Sequence, residues 1–370
     1  MRYLSAYRAM AAWMGPRARE SGADGIFLRD PELRQEALRM LRTGRVYGAA
    51  LCLFDREGIL GTICAGHARK GLPVTPDTYF RVASVSKMVT AGIASALAFE
   101  KRLDLDMDVR SCLGIRAQAH PDSPISLRML LSHTSSLRDT DLLEKAAQGM
   151  TLSEAEPRFA YTGAVPGSSF CYSNEGAALA GEVLETETGQ DLDALLHRTY
   201  GPLGTYFPNR IKEGVLADAV RILPPRRAAY SGETMQNAAG NETGPDPQRH
   251  WGRAHGSLCL RVNDAAEIAG QLMLDARFQQ MFQPSVPFGS RDPSITEGLG
   301  MFLVNTPAGL VCGHQGLAYG AAHGVFFSPE TGRGFALLTS GCSLSRVHVL
   351  TDLNKAAISL LTEENRPWRK

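Results

Sequence analysis

Phe80-Arg81-Val82-Ala83-Ser84-Val85-Ser86-Lys87 runs directly into Met88-Val89-Thr90-Ala91-Gly92-Ile93-Ala94-Ser95-Ala96-Leu97-Ala98-Phe99. The second stretch has almost no polar face. A helix that is apolar nearly all round is a central, buried one, so the remainder of the chain must wrap around it. Ser84 opens that helix, and Lys87 lies one turn further along on the same side. A serine hydroxyl is a weak nucleophile unless a base stands beside it. A lysine in the first turn of a buried helix is partly desolvated, which lowers its pKa and suits it to that task. The backbone N–H of Ser84 is one of the donors a helix start leaves unpaired, available to an oxyanion. The plainer alternative makes Ser84 an N-cap and Lys87 a solvated lysine. A lone Ser-x-x-Lys match is expected about once by chance in a chain of this length.

Upstream of this helix, residues 31–42 read as an amphipathic helix with Leu33, Ala37, Leu38 and Leu41 on one face. Residues 46–54 and 59–65 are β-rich and flank Asp55-Arg56-Glu57-Gly58, a hairpin signal. Downstream, strand candidates fall at 301–305, 310–314, 324–327 and 335–339. Pro329-Glu330-Thr331-Gly332 is a turn between the last two, and a closing helix follows at 352–361. The predicted fold is α/β (α+β): an antiparallel sheet of the five-stranded type, flanked by helices and built from residues 1–104 and 291–370. A mainly helical part, 105–290, is inserted beside it within one unit. The cleft between the two parts is where distant residues can converge.

Two further segments carry candidate chemistry. Phe170-Cys171-Tyr172-Ser173-Asn174-Glu175-Gly176 precedes an apolar helix. A phenol near a lysine ammonium can relay a proton to a leaving group. Asn174 has both a donor and an acceptor, suited to a substrate amide or to the lysine. The alternative is a core tyrosine beside an Asn helix cap. His314-Gln315-Gly316 ends an apolar run, Leu310-Val311-Cys312-Gly313. A strand glycine, Gly316, lets backbone approach a substrate closely, and the N–H of Leu317 is then a candidate second oxyanion donor. The alternative for His314 is a satisfied histidine at a strand end.

The order Ser-x-x-Lys, Tyr-x-Asn, His-x-Gly resembles the serine β-lactamase and penicillin-binding-protein superfamily. The likeness is to the branch with class C β-lactamases, D-alanyl-D-alanine carboxypeptidases, D-aminopeptidases and esterases. Leu130-Leu131-Ser132-His133-Thr134-Ser135-Ser136-Leu137 is similar to that branch's Leu-Leu-x-His-Thr-Ser-Gly-Leu segment, and Gly256-Ser257-Leu258 to its glycine-leucine turn. The resemblance runs from about residue 48 to about residue 359. It implies a β-lactamase/transpeptidase-like fold and an acyl-enzyme on Ser84. Lys87 and Tyr172 would share the proton work, and Asn174 would orient the acyl-side amide. His314 would stand at the strand edge in place of lysine, and the N–H groups of Ser84 and Leu317 would form the oxyanion hole. Ser136 departs from the family's glycine, Gln315 from its small hydroxyl residue and Leu317 from a small residue. Gln315 and His314 together weigh against β-lactam or D-Ala-terminal substrates, because a hydroxyl at the Gln315 position helps bind a carboxylate. The expected activity is a serine hydrolase on a small ester, amide or peptide. The alternatives are a β-lactamase or D-Ala-D-Ala carboxypeptidase, and a non-catalytic binding module of the same fold.

With 39 basic and 38 acidic residues and no basic stripe, neither nucleic acid nor an anionic membrane is expected as partner. The chain lacks an apolar run of about 18 residues. Its N-terminal segment makes a poor signal peptide, since Arg8 interrupts the apolar residues. Seven cysteines, an odd number without a Cys-x-x-Cys pair, read as packing residues of a reduced, cytoplasmic protein. No metal or cofactor is expected, and the sequence is silent on oligomeric state. Tyr206, Phe207, Tyr230 and Trp251 are either core or pocket lining. Residues 240–247 read as a loop with a weak sequon at Asn241.

Overall fold

The computed structural model describes residues 30–115, 120–223, 227–230, 251–286, 292–342 and 349–362. The N-terminal leader reading, the 240–247 loop and the side chain of Tyr230 lie outside these residues. Helix α1 (Pro31–Thr43) starts where Asp30 accepts hydrogen bonds from the N–H groups of Glu32 and Leu33, with Pro31 at the first helical position. It buries Leu33, Ala37, Met40 and Leu41. Strands β1 (Gly48–Asp55) and β2 (Gly58–Arg69) form the hairpin, and Asp55 closes its turn by accepting from the Glu57 N–H. Short β3 (Leu72–Pro73) and β4 (Thr78–Arg81) lead to α2 (Val85–Phe99), whose residues from Val85 to Leu97 are all buried.

The middle region contains α3 (Asn174–Thr188) and α4 (Val262–Leu274). The chain then returns to the sheet through β5 (Ile295–Glu297), β6 (Phe302–Thr306), β7 (Gly309–Ala318), β8 (Ala321–Ser328) and β9 (Arg333–Gly341), and the last of the described residues form α5 (Asp352–Thr362). The sheet order is β5-β6-β7-β8-β9-β1-β2-β3, antiparallel throughout. The strands expected from sequence at 46–54, 59–65, 301–305, 310–314, 324–327 and 335–339 are β1, β2, β6, β7, β8 and β9. β3 and β5 widen the sheet at its edges, to eight strands.

Strand alternation divides the core in two. Ala50, Cys52 and Phe54 of β1 face the α2 side, whereas Ala49, Leu51 and Leu53 face α1 and α5. The same split recurs in β9, with Ala336 and Leu338 on one side and Phe335 and Leu337 on the other. Helices cover both faces, so β1 reads as one unbroken apolar run rather than an alternating one. Tyr206, Phe207 and Trp251 are buried in the α2-side core and are packing residues there. No helix among the described residues is long and apolar enough to cross a membrane.

Candidate active site

The turn before α2 is held tightly. The Val82 N–H donates to the Leu258 carbonyl at 2.8 Å, and Arg81 Nε donates to the Gly256 carbonyl at 3.0 Å. Ala83 takes a left-handed φ of 49°, uncommon for a residue with a Cβ. Ser86 Oγ donates to the Ala83 carbonyl at 2.6 Å and accepts from the Leu258 N–H at 3.2 Å. Ser84 sits at the N-cap position but makes no side-chain cap bond. Its Oγ meets Lys87 Nζ instead, at 3.0 Å.

Lys87 is 2% exposed, and its Nζ has two other partners: Asn174 Oδ1 and the His255 carbonyl, each at 2.8 Å. Burial pulls its pKa down to about 7, against the opposing pull of Asp139 and Glu297. Two of its three partners are amide or peptide oxygens, which only accept. A neutral amine has two N–H groups and one lone pair. With both N–H groups on those oxygens, the lone pair points at the Ser84 hydroxyl.

Tyr172 approaches from the segment before α3, near enough to the Ser84 side chain for that neighbour to lower its pKa against the effect of burial. Its ring centroid lies 5.0 Å from Lys87 Nζ. Burial pushes its phenol up, so it stays protonated at neutral pH. The phenol is thus a donor in the resting state rather than a phenolate base. The ring packs on His133 at 4.3 Å between centroids, and His133 Nδ1 accepts from the Ser173 N–H. That is the structural use of the Leu130–Leu137 segment. Within it, Ser136 has φ of 68°, a conformation that favours glycine, which accounts for the family's usual residue there.

One carboxylate ties this region together. Asp139 Oδ2 accepts from Asn174 Nδ2 at 2.7 Å, while Oδ1 accepts from Ser173 Oγ and the Glu175 N–H, each at 3.0 Å. Ser173 is the N-cap of α3 and accepts from the Gly176 N–H. A second acid, Glu297 at the end of β5, is fully buried, and neither carboxyl oxygen has a hydrogen-bond partner. Burial holds its pKa well above the usual carboxyl range, and its field reaches Lys87 and Tyr172. Sequence reasoning missed both acids. Asp139 lies two residues past Leu137 of the quoted segment and was within reach of that signal. Glu297 had none, since its strand has three residues.

β7 brings the third motif alongside. A Cβ on Gly316 would sit 2.1 Å from the Val82 carbonyl oxygen and 3.3 Å from Ala83 Cβ. The strand backbone therefore presses on the turn that carries Ser84. His314 is 1% exposed and stacks on Phe302 at 4.4 Å, with Tyr172 at 6.5 Å. Burial, with Lys87 nearby, drops its pKa to about 3, so it is neutral. Gln315 faces the other way: its Nε2 donates to the Val349 carbonyl, and its Oε1 accepts from the Thr351 N–H and Asn354 Nδ2. It ties β7 to α5 and offers no polar group to the cleft, because successive residues of a strand point to opposite faces. Leu317 is half-buried and packs toward that same α5 side. Ser84, Lys87, Tyr172, Asn174, His314 and Gly316 thus come together from three distant stretches of chain. Cys171 is half-buried with its thiol pushed up by burial, as suits packing.

The Gly316 contact yields a direct test. Gly316→Ala is expected to lower stability by about 1–3 kcal/mol through overpacking. It should also slow Ser84 acylation about 10²-fold, since a shift of about 1 Å in a reacting constellation has that effect. A denaturant melt and a stopped-time labelling rate measure the two. Wild-type values for both would mean that the strand does not press on the turn.

The Beta-lactamase family model matches residues 32–357. "Penicillin-binding protein 4" of Amycolatopsis lactamdurans is 33% identical over 190 residues, 49% of this chain and 50% of that protein. A D-aminopeptidase of Gluconobacter oxydans (strain 621H) is 29% identical over 196 residues, 50% of this chain and 35% of that one. The chain spans half or less of the length of these curated relatives. Among solved structures, an octameric penicillin-binding protein homologue from Pyrococcus abyssi is similar with a TM-score of 0.70 at 20% identity. That match covers 89% of this chain and 76% of the other, a likeness of fold.

Proposed function

The chain belongs to the Beta-lactamase family, whose members include serine hydrolases, and on that premise we propose that it hydrolyses a small ester or amide through an acyl-enzyme on Ser84. The observation that carries this is the buried Lys87 amine, whose Nζ lies 2.8 Å from each of two acceptor-only oxygens and 3.0 Å from Ser84 Oγ. As Ser84 Oγ bonds to the substrate carbonyl carbon, its proton passes to the Lys87 lone pair. The carbonyl oxygen becomes an oxyanion, taken up by the N–H groups of Ser84 and Leu317. When the tetrahedral species collapses, the bond to the leaving group breaks. The Tyr172 phenol, protonated at rest and beside Ser84 and Lys87, protonates the departing oxygen or nitrogen and is reprotonated from Lys87. Water then attacks the ester, and the same groups run in reverse.

The relatives' names support two substrate classes. The D-aminopeptidase points to D-amino acid amides or short peptides. Penicillin-binding protein 4 points to a β-lactam or D-Ala-terminal substrate. The second needs a grip on a carboxylate, and here His314 is neutral and Gln315 faces away. Amides and esters without a carboxylate therefore fit better. An odd cysteine count with all seven thiols free is consistent with a reducing, cytoplasmic setting.

Exposure to a fluorophosphonate, followed by intact mass and peptide mapping, tests the proposal. One adduct on Ser84 is expected. A folded protein with no adduct would leave the non-catalytic binding module as the better reading. A stable penicillin adduct without ester turnover would favour the β-lactam class.

A further inference from the structure

Asn174 has one polar atom that accepts and one that donates, in nearly the same shape. Only one orientation serves the base. With Oδ1 toward Lys87, the amine spends an N–H on it and keeps its lone pair for Ser84. With Nδ2 toward Lys87, the amide would donate into that lone pair and occupy it. Asp139 removes the ambiguity: its Oδ2 lies 2.7 Å from Asn174 Nδ2, and a carboxylate accepts only. It is itself fixed by Ser173 Oγ and the Glu175 N–H at the start of α3.

We infer that Asp139 is a positioning residue: by holding the amide nitrogen of Asn174 it forces the amide oxygen onto Lys87 and so keeps the lysine lone pair free for Ser84. This rests on the reading of Lys87 as the base of an acyl-enzyme reaction. A second consequence is electrostatic. The groups that face Lys87 are Asp139, Glu297, Tyr172, His133 and His314. Burial keeps Tyr172, His133 and His314 neutral at pH 7. Of the two carboxyls that pull the Lys87 pKa upward, Asp139, exposed at the mouth of the site, has the larger effect and Glu297 the smaller. Loss of Asp139 moves that pKa down, and with it the acid limb of any rate that needs the neutral amine.

Asp139→Asn presents a donor to Asn174 and allows the amide to turn. The maximal rate of fluorophosphonate labelling is expected to fall about 10–10²-fold, within the range for an impaired general base. The concentration dependence should stay unchanged. The acid limb should move about half a pH unit lower, a small shift because the charge is exposed and screened. Ser173→Ala, which removes another contact of the same carboxylate, is expected to lower Tm and leave the limb in place. That separates a structural role from the positioning one. Asp139→Glu keeps the charge but displaces it by one methylene. It should lose rate with the limb unmoved, and it decides the matter if the Asn variant fails to fold. Wild-type rate and profile in Asp139→Asn, or full rate in Asp139→Glu should that variant be needed, would overturn the inference. Absence of labelling in the wild type would instead overturn the proposed reaction itself.

Discussion

Ser84→Ala is expected to abolish fluorophosphonate labelling and to lower turnover of an activated ester about 10⁴–10⁶-fold, the range seen when a hydrolase loses its nucleophile. The fold should not suffer. Ser84 makes no side-chain cap bond to α2, and Ser86 holds the helix start to the Leu258 backbone. What the hydroxyl does touch is Lys87. The expected result is therefore a variant that melts within a few degrees of the wild type and is inert. Residual ester turnover within tenfold of wild type would place the nucleophile elsewhere.

Lys87→Met is expected to lower the labelling rate about 10²–10⁴-fold, the usual contribution of a general base, and to remove the acid limb near pH 7. It has a second signature, in stability. The folded pKa of Lys87, about 7, lies below its unfolded value of 10.5. Between these values the unfolded chain binds a proton that the native chain does not. The wild type therefore gains stability as pH rises through this window, by about 1.4 kcal/mol per pH unit. Below pH 7 the full destabilisation is present, and above about 10.5 it is gone. Tyrosines and cysteines titrate over part of the same range, but the difference between wild type and Lys87→Met cancels them. Urea melts of both proteins from pH 6 to 10 measure that difference. A flat difference curve would mean that Lys87 is solvated and not poised as a base.

Much of the sheet was legible because its long strands are buried on both faces and read as apolar runs bounded by turn residues. Pro329-Glu330-Thr331-Gly332 is the clearest case. β5 escaped notice because three residues ending in a glutamate carry no period. The motif residues were legible because their chemistry depends on type and order. Asp139 and Glu297 depend instead on what lies opposite them, which spacing along one chain cannot reveal. Gln315 shows the same limit from the other side. Its type suggests a polar contact in the cleft, but the face it occupies is set by strand alternation counted from a register that only pairing defines. Ser136 was legible as a departure, and its left-handed backbone gives the departure its meaning.

The pairing of β1 with β9, from Gly48 with Gly341 to Asp55 with Arg333, also bears on how the protein is made. A ribosome delivers β1 long before β9. Until β9 emerges, one edge of β1 has no partner, and α2 has only part of the surface that will cover it. Such long-range pairing is slow to form, and bare strand edges and apolar surface in waiting chains are what aggregate. The nucleophile stands on the early part and the strand that presses on it belongs to the late part. A nascent chain is therefore expected to remain inert to serine-directed probes until β7 to β9 have emerged, and cellular yield to depend on how long that edge is shielded.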